Sequence, residues 1–180
     1  MQRHIGLTLL ELMIALSIVA LTFIVVGPSA HHLYQNNVII SQLNSTSSVV
    51  QFARHHAIHT KHTTIICPTA DFIDCDKDWN QHKMVFVDDN ANHRLDHDER
   101  LLTTLTRSHN TVTTGPSTPI RFNFNGVSAS PATIKICDLN ATDRHARALF
   151  VSLQGRIKVS RDKDGDGIYE TNSGRDLHCR

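Results

Sequence analysis

The chain has 180 residues, and its 18 lysines and arginines nearly balance its 17 aspartates and glutamates, which gives a net charge of +1. This near-neutral balance creates no overall field that would demand a nucleic acid or a lipid surface as a partner. An apolar run lies close to the N-terminus, and the roughly 150 residues that follow it suffice for one domain.

The apolar run follows a polar leader, residues 1–6, that carries Arg3. From Leu7 to Val26 the chain is apolar apart from Thr8, Glu11, Ser17 and Thr22. Roughly 20 helical residues reach about 30 Å, which is enough to cross the hydrocarbon core of a bilayer. We therefore expect a transmembrane helix over about residues 7–26. Because Arg3 precedes the run, the leader should stay in the cytoplasm and the rest should be exported.

Glu11 is the unusual residue of this run. A charge at the centre of a membrane helix costs roughly 2.5–3.5 kcal/mol, and less near the interface, so an intramembrane carboxylate indicates a function. The run also lacks the small-x-small cleavage site that ends an ordinary secretory signal, although Gly27-Pro28-Ser29-Ala30 comes close to one. If the chain is cut after Gly6, the new amino group of Leu7 lies one helical turn from Glu11. The same amine of a neighbouring subunit could then neutralise the Glu11 carboxylate.

The stretch Gly6-Leu7-Thr8-Leu9-Leu10-Glu11-Leu12 closely resembles the class III signal of type IV pilins, with Leu7 in place of the usual phenylalanine. The resemblance implies that a prepilin peptidase cuts between Gly6 and Leu7 and methylates the new N-terminus. It also implies an assembly role for Glu11, and it matches Pro28 with the proline that kinks the helix of many pilins. A plain signal anchor is the alternative, but it leaves the cost of Glu11 unexplained.

A second apolar pattern follows Pro28. Positions that recur every three or four residues form one face of an amphipathic helix; they are Ile39, Leu43, Thr46, Val50, Ala53 and Ala57, and Val49, Phe52 and Ile58 widen the face. A helix can continue beyond a proline kink. We therefore expect one long helix over residues 7–60, whose second half packs under a globular head.

Beyond Thr60 the pattern changes to short runs of strand composition, separated by prolines and glycines in turn contexts. The runs are Thr63–Cys67, Lys83–Val87, Ile120–Phe124, Thr133–Cys137, Ala148–Leu153 and Arg156–Ser160. The polar stretch Ser108–Thr118 predicts a loop. The expected fold is α+β: a long N-terminal helix, transmembrane in its first half, packed on an antiparallel β-sheet head over residues 61–180.

Four cysteines lie in the part of the chain that should be exported, namely Cys67, Cys75, Cys137 and Cys179. An even number in an exported domain favours two disulfides. Three pairings are possible, and the simplest joins Cys67 to Cys75 and Cys137 to Cys179.

Several stretches of the head resemble the GspH/FimT/FimU group of minor pilins and pseudopilins. They are Phe52–Ile58, Ile65-Ile66-Cys67-Pro68, Asp78-Trp79 with Val85–Asp88, Arg147–Ser152 and Gly155–Val159. In that group a helix end of the Ala-Arg-Ser-Glu-Ala kind leads into a strand that ends in Cys-Pro, and here His55 and His56 replace Ser-Glu. The resemblance covers most of the chain and implies a pilin-like fold.

The same resemblance implies a subunit that enters a type IV filament and helps to initiate it. Before assembly it would be a single-pass protein of the bacterial inner membrane with its head in the periplasm. Its partners would be the prepilin peptidase, other minor pilins or pseudopilins, and the major pilin. The type IV pilus and the type II secretion system both use such subunits. Gly155-Arg156-Ile157-Lys158 resembles the Gly-Arg-x-Arg stretch by which FimT-like minor pilins are implicated in DNA uptake, and it favours the pilus slightly.

A DNA-binding receptor module of natural transformation is a further alternative. Arg156 and Lys158 alternate with Ile157, so they share one face of the predicted strand. Together with Arg161 they form a basic row that could follow phosphates. The acidic stretch that begins at Asp162 weakens this field, and a solvated strand face is the ordinary explanation of such a row.

Two acidic stretches have the spacing of a calcium loop. Asp162, Asp164, Asp166 and Glu170 fall at positions 1, 3, 5 and 9, but Ser173 stands where the bidentate acid belongs. Water or another segment would have to complete the calcium shell, and a solvated acidic turn is the alternative. In the second stretch, Asp88, Asn90, Asn92, Asp96 and Glu99 have the spacing, but His93 replaces the turn glycine, which favours a polar hairpin loop. No cofactor is required, and calcium is the candidate ion.

Three histidines, His55, His59 and His62, have helical spacing, as in some zinc sites. No cysteine or acid near them in sequence completes a site, so an exposed helix face is favoured. The sequence contains no Gly-rich phosphate loop, no Gly-x-Ser-x-Gly elbow and no His-Glu-x-x-His. We therefore expect a structural protein rather than an enzyme, without catalytic residues.

Overall fold

One long helix precedes a β-rich region in the computed structural model, which describes residues 8–179 without the side chains of residues 25, 27–29 and 31. Helix α1 spans Leu9–Thr60. The strands are β1 Thr64–Thr69, β2 His82–Val87, β3 Leu101–Leu105, β4 Thr111–Thr114, β5 Ile120–Phe122, β6 Ala132–Asp138, β7 Arg147–Val151 and β8 Ile157–Val159, and a 3₁₀ helix at Asp143–His145 precedes β7. The α+β prediction is confirmed. The described residues fall into two units that divide between Asn37 and Val38.

The N-terminal unit consists of the first part of α1. The Thr8 hydroxyl oxygen accepts a hydrogen bond from the backbone N–H of Glu11 at 3.3 Å and so caps the start of the helix. Large apolar side chains from Leu9 to Val26 are exposed on all sides of the helix. Among the residues that the structure describes, no helix has the length and apolarity that a membrane span requires.

The second unit, from Val38 onward, has its own core. The predicted helix face is confirmed, because Ile39, Leu43, Val50, Ala53 and Ala57 are all buried. They pack in one cluster with side chains from both sheets. Phe52 does not belong to this cluster, contrary to the expectation that it widens the face: its side chain is 41% exposed. Helical geometry turns that position toward solvent beside the sheet.

Two antiparallel sheets of four strands form the head. Their strand orders are β3-β2-β1-β5 and β4-β6-β7-β8. In the first sheet the side chains of Ile66 and Val85 enter the shared core. Their neighbours Ile65 and Phe86 form a smaller cluster on the opposite face. This alternation is the consequence of the two-residue period of a strand.

Two strands were absent from the sequence prediction. β4 lies inside the predicted loop Ser108–Thr118, so the loop prediction is wrong for Thr111–Thr114 and holds for the residues on either side. Thr111 and Thr113 are buried whereas Val112 is exposed, so the hydroxyl-bearing residues face inward and the apolar one faces solvent. Three β-branched threonines are good strand residues despite their polarity. β3 is a partly exposed edge strand, which weakens its apolar signal.

Both disulfides of the simplest pairing are present. Cys67 joins Cys75 and Cys137 joins Cys179, with Cα–Cα distances of 5.6 and 5.8 Å. The second bridge fixes the C-terminal tail to β6. Asp143 supports it, because its carboxylate accepts the N–H of Cys179 at 2.9 Å and contacts Nδ1 of His178 at 2.9 Å.

Candidate functional site

The predicted cleavage residues Gly6 and Leu7 lie outside the described residues. Glu11 is the first predicted site residue within them. Its side chain is exposed on α1. The other polar side chains of this segment have partners within the helix: Ser17 donates to the Met13 carbonyl at 2.8 Å and Thr22 to the Val19 carbonyl at 2.7 Å. Among the described residues, the Glu11 carboxylate has no such partner.

The sequence also carries a helix-capping signal at this position. Thr8 and Glu11 stand in the Thr-x-x-Glu order of a capping box, in which a hydroxyl at the N-cap bonds the backbone N–H three residues later. The observed hydrogen bond is of this kind. Glu11 therefore lies where a helix start is fixed, in addition to its predicted role in assembly. α1 continues through position 28, as predicted, and the side chain of Pro28 lies outside the described residues.

Three predicted DNA-binding residues line a groove between α1 and β8, which we call the β8 groove. It consists of two adjoining pockets of about 730 and 560 Å³. Arg156 and Lys158 line the first pocket with Phe52, and Lys158 and Arg161 line the second. Sequence reasoning did not foresee the contribution of α1 to this surface.

The turn between β7 and β8 fixes the position of the groove. Gly155 has φ +70°, and a Cβ there would lie 2.0 Å from the carbonyl oxygen of Gly126, so a glycine is required. Arg54 of α1 reaches the same place, since its Nε donates to the Gly126 carbonyl at 3.0 Å. Ser160 follows Lys158 on the same strand face but adds nothing to the open groove, because its hydroxyl is buried and accepts the N–H of Ala148 at 3.0 Å. DNA binding by this groove stays a prediction.

The acidic loop after β8 brings together three of the four predicted calcium ligands. Carboxylate oxygens of Asp162, Asp164 and Asp166 lie within 4.8 Å of one another. They also accept backbone N–H groups of their own loop, as in the 2.7 Å bond from Gly165 to Asp162. Glu170 does not join them, because both its oxygens accept the N–H of Lys163, at 2.9 and 3.1 Å. Calcium binding by the three aspartates stays a prediction.

The second acidic stretch is a polar loop between β2 and β3. Asp88 accepts the N–H groups of Asn92 and His93, and Glu99 accepts that of Asp89 at 3.1 Å. His93 has φ +63°, the left-handed conformation that a glycine would adopt there. The replacement of glycine therefore does not prevent the turn.

His55 and His59 are exposed on α1, as expected, whereas His62 is exposed just beyond the end of the helix. The rings of His55 and His59 lie 4.4 Å apart between centroids. His62 has an acidic neighbour, because its Nδ1 lies 2.9 Å from a carboxylate oxygen of Asp89. That acid is distant in sequence, so the pattern of α1 alone could not reveal it. Among the described residues, the aspartates of the 162–166 loop are the one group with metal-ligand geometry.

Lys83 is a buried charge that sequence reasoning missed. Its side chain is buried in β2, and Nζ has no hydrogen-bond partner among the described residues. Burial lowers the pKa of Lys83 to about 8, partly opposed by the charge of Asp78. The two-residue period contained the signal, since Lys83 shares a strand face with Val85 of the core.

The fold is that of a pilin-like protein. A long N-terminal helix precedes the head, and the second half of this helix packs on the antiparallel sheets. The sequence profile described as Type II transport protein GspH matches residues 42–155, more than half of the chain. The chain belongs to the GspH family, and the prediction of a minor pilin or pseudopilin is confirmed. No protein of curated function shows significant sequence similarity to the chain.

Solved structures with this fold include the type IV minor pilin FimU of Pseudomonas aeruginosa. Two crystal forms of FimU align at 21% identity with TM-scores of 0.58 and 0.56, covering 80% and 78% of this chain and 96% and 98% of FimU. The minor pseudopilin EpsH of the type 2 secretion system of Vibrio cholerae aligns at 9% identity with a TM-score of 0.47, covering 64% of this chain and 90% of EpsH. The likeness to FimU establishes the fold.

Proposed function

We propose that the protein is a minor pilin that enters a type IV pilus and helps to initiate its assembly. Membership of the GspH family and the pilin fold support this proposal. The work is structural and involves no catalysis. The alternative within the same family is a pseudopilin of a type II secretion system. The choice of the pilus rests on Gly155-Arg156-Ile157-Lys158, whose basic residues lie at an open groove.

The observation that carries the assembly role is the state of Glu11. Its carboxylate is the polar group without a partner among the described side chains from Thr8 to Val26, on a helix whose large apolar residues are exposed. The described residues leave both features without a partner, which supports a partner in another molecule. The apolar surface suits lipid before assembly and other pilin helices afterwards. The carboxylate suits the amine that cleavage after Gly6 would create on a neighbouring subunit.

The proposal implies two successive locations for the subunit. Before assembly, the run from Leu7 to Val26 would anchor it in the inner membrane with the head in the periplasm. The two disulfides fit that oxidising compartment. After assembly, the helix would lie among those of other minor pilins and the major pilin in the filament.

The intact mass of the protein from membranes of its host shows whether the leader is removed as in a type IV pilin. We expect loss of residues 1–6 and gain of one methyl group, and both changes should depend on the prepilin peptidase. An uncut chain, or one cut near Ala30, would contradict the proposal, because the amine that Glu11 requires would not exist.

Deletion of the gene separates the pilus from secretion. Loss of surface pili with normal release of exported enzymes supports the pilus. The reverse result assigns the protein to the type II secretion system and leaves the assembly role of Glu11 intact.

A further inference from the structure

β8 is an edge strand with an open side. It pairs with β7 alone, in a register that places Val159 opposite Leu149. The N–H of Ser160 donates to the carbonyl of Ala148 at 2.8 Å. Because backbone direction alternates along an antiparallel strand, the N–H and C=O groups of Val159 and Ile157 point away from β7. No hydrogen bond between described residues involves these groups on that side.

The open side of β8 lines the β8 groove, whose opposite wall is α1. Apolar side chains are exposed in it: Phe52 is 41% and Val159 is 42% exposed. Ile157 is half-buried and packs against the main core, so it connects the apolar surface of the groove to that core. The groove therefore combines unpaired backbone groups with an apolar surface.

The rim of the groove is basic. Four exposed cations lie on or beside β8, namely Arg156, Lys158, Arg161 and Lys163, and none forms an ion pair with a carboxylate of the described chain. Glu170 is the acid that lines the groove, and its oxygens accept the N–H of Lys163. A second copy of the same basic edge would be repelled, since like charges on neighbouring strands are destabilising. The acidic loop that begins at Asp162 weakens this field, but the residues that line the groove carry more cations than acids, which favours an acidic partner.

We propose that the β8 groove binds an extended acidic segment of a neighbouring filament subunit, which pairs with β8 as a fifth strand of the sheet β4-β6-β7-β8. Such strand addition uses main-chain hydrogen bonds for affinity and alternate side chains for specificity. Apolar residues of the segment cover Phe52 and Val159, and its carboxylates face Arg156 and Lys158. A nucleic acid would use the cations but would leave the backbone groups of Ile157 and Val159 unpaired. The claim that the segment comes from a filament subunit rests on the proposed function. The claim that the groove binds an acidic strand does not.

A synthetic peptide tests the proposal on the detergent-solubilised full-length protein. The probe is a fluorescent peptide of about seven alternating valines and glutamates, the length of an ordinary strand, and anisotropy measures its binding. Methylation of alternate amide nitrogens should weaken binding at least about tenfold, a loss of roughly 1.4 kcal/mol, because it removes the donors that pair with β8. Replacement of every glutamate by lysine should abolish binding.

Substitutions at Val159 separate backbone pairing from side-chain contact. Val159→Pro removes the N–H that points into the groove, and an edge strand tolerates proline where the N–H faces solvent. It should weaken binding about tenfold, whereas Val159→Thr, which keeps the N–H, should change it less than about twofold. Lys158→Glu should shift the preference toward the lysine peptide.

Hydrogen exchange on the unsubstituted protein gives a readout that does not depend on the folding of any variant. Saturating peptide should slow exchange at the amides of Ile157 and Val159. Unchanged exchange there, equal binding of the methylated peptide, or no binding of the acidic peptide would overturn the proposal. Binding of a single-stranded oligonucleotide in place of the peptide, lost in Arg156→Ala, would assign the groove to DNA. An uncut leader in host membranes would refute the proposed function and leave the peptide results unaffected.

Discussion

The two parts of α1 differ in how their apolar side chains are satisfied. Ile14 in the N-terminal part is 53% exposed, whereas Ile39 in the second part is fully buried. Both are isoleucines of one continuous helix, so propensity does not separate them. The difference is the partner: the head supplies a core for Ile39, while the described chain supplies nothing for Ile14. The head thus has a core of its own, whereas the first part of the helix has none within the described chain, as the proposed assembly role requires.

The sharpest test of this difference is one pair of substitutions. Ile39→Ala should lower the free energy of unfolding of the head by about 2–5 kcal/mol, because it leaves a cavity in the core. Ile14→Ala should change it by less than about 0.5 kcal/mol. Denaturant unfolding of the detergent-solubilised protein, followed by near-ultraviolet circular dichroism, measures both. Equal losses would show that the two parts of the helix share one folding unit.

The loss of stability on removal of a disulfide should be larger for the bridge that closes the longer loop. The Cys137–Cys179 bridge spans 42 residues and the Cys67–Cys75 bridge spans 8. Loop entropy predicts losses of about 4 and 2.5 kcal/mol for the paired serine variants. The same unfolding assay measures them. A larger loss from the short loop would indicate that its local packing dominates over chain entropy.

Lys83→Met should stabilise the head by about 1–3 kcal/mol at pH 7, because it replaces an unpartnered buried ammonium by an apolar side chain of similar shape. Burial lowers the pKa of Lys83 from 10.5 to about 8. Between these values the unfolded state binds more protons than the folded state, so wild-type stability should rise with pH in this window. The variant should lack that rise, and the exposed Lys77→Met should retain it. Loss of stability in Lys83→Met would reveal a polar role for the ammonium.

Calcium should have the smallest effect. Three carboxylates without the usual bidentate acid suggest a dissociation constant near 1 mM, the range of extracellular modules. About 10 mM calcium would then stabilise the head by roughly 1.4 kcal/mol. Asp164→Asn should remove that gain and Asp76→Asn should not. No calcium-dependent rise in melting temperature, or an equal rise in both variants, would favour a solvated acidic turn.

Periodic and covalent features of the head could be predicted from sequence. Apolar spacing identified the helix face from Ile39 to Ala57, and cysteine parity with the simplest pairing identified both disulfides. Strand limits were accurate to within about two residues, which is the ordinary uncertainty of element ends. These features depend on local pattern or on few alternatives.

Features that depend on distant contacts could not be predicted. β4 was missed because its buried residues are threonines, and only the finished sheet shows that they face inward. Glu170 fitted the calcium spacing, but its oxygens bond to the N–H of Lys163. The β8 groove joins α1 to a strand about 100 residues later, a proximity that only the fold creates.

Incorporation of Glu11→Gln into filaments tests most directly the claim that the first part of α1 serves assembly. Glutamine keeps the shape of the side chain and is accepted at this position of a capping box, so the variant removes the charge and preserves the start of the helix. We expect unchanged melting of the head and normal amounts in membranes, with the amount in sheared filaments reduced at least about tenfold through loss of the ion pair. Normal incorporation of Glu11→Gln would contradict the claim and leave Glu11 with a capping role alone.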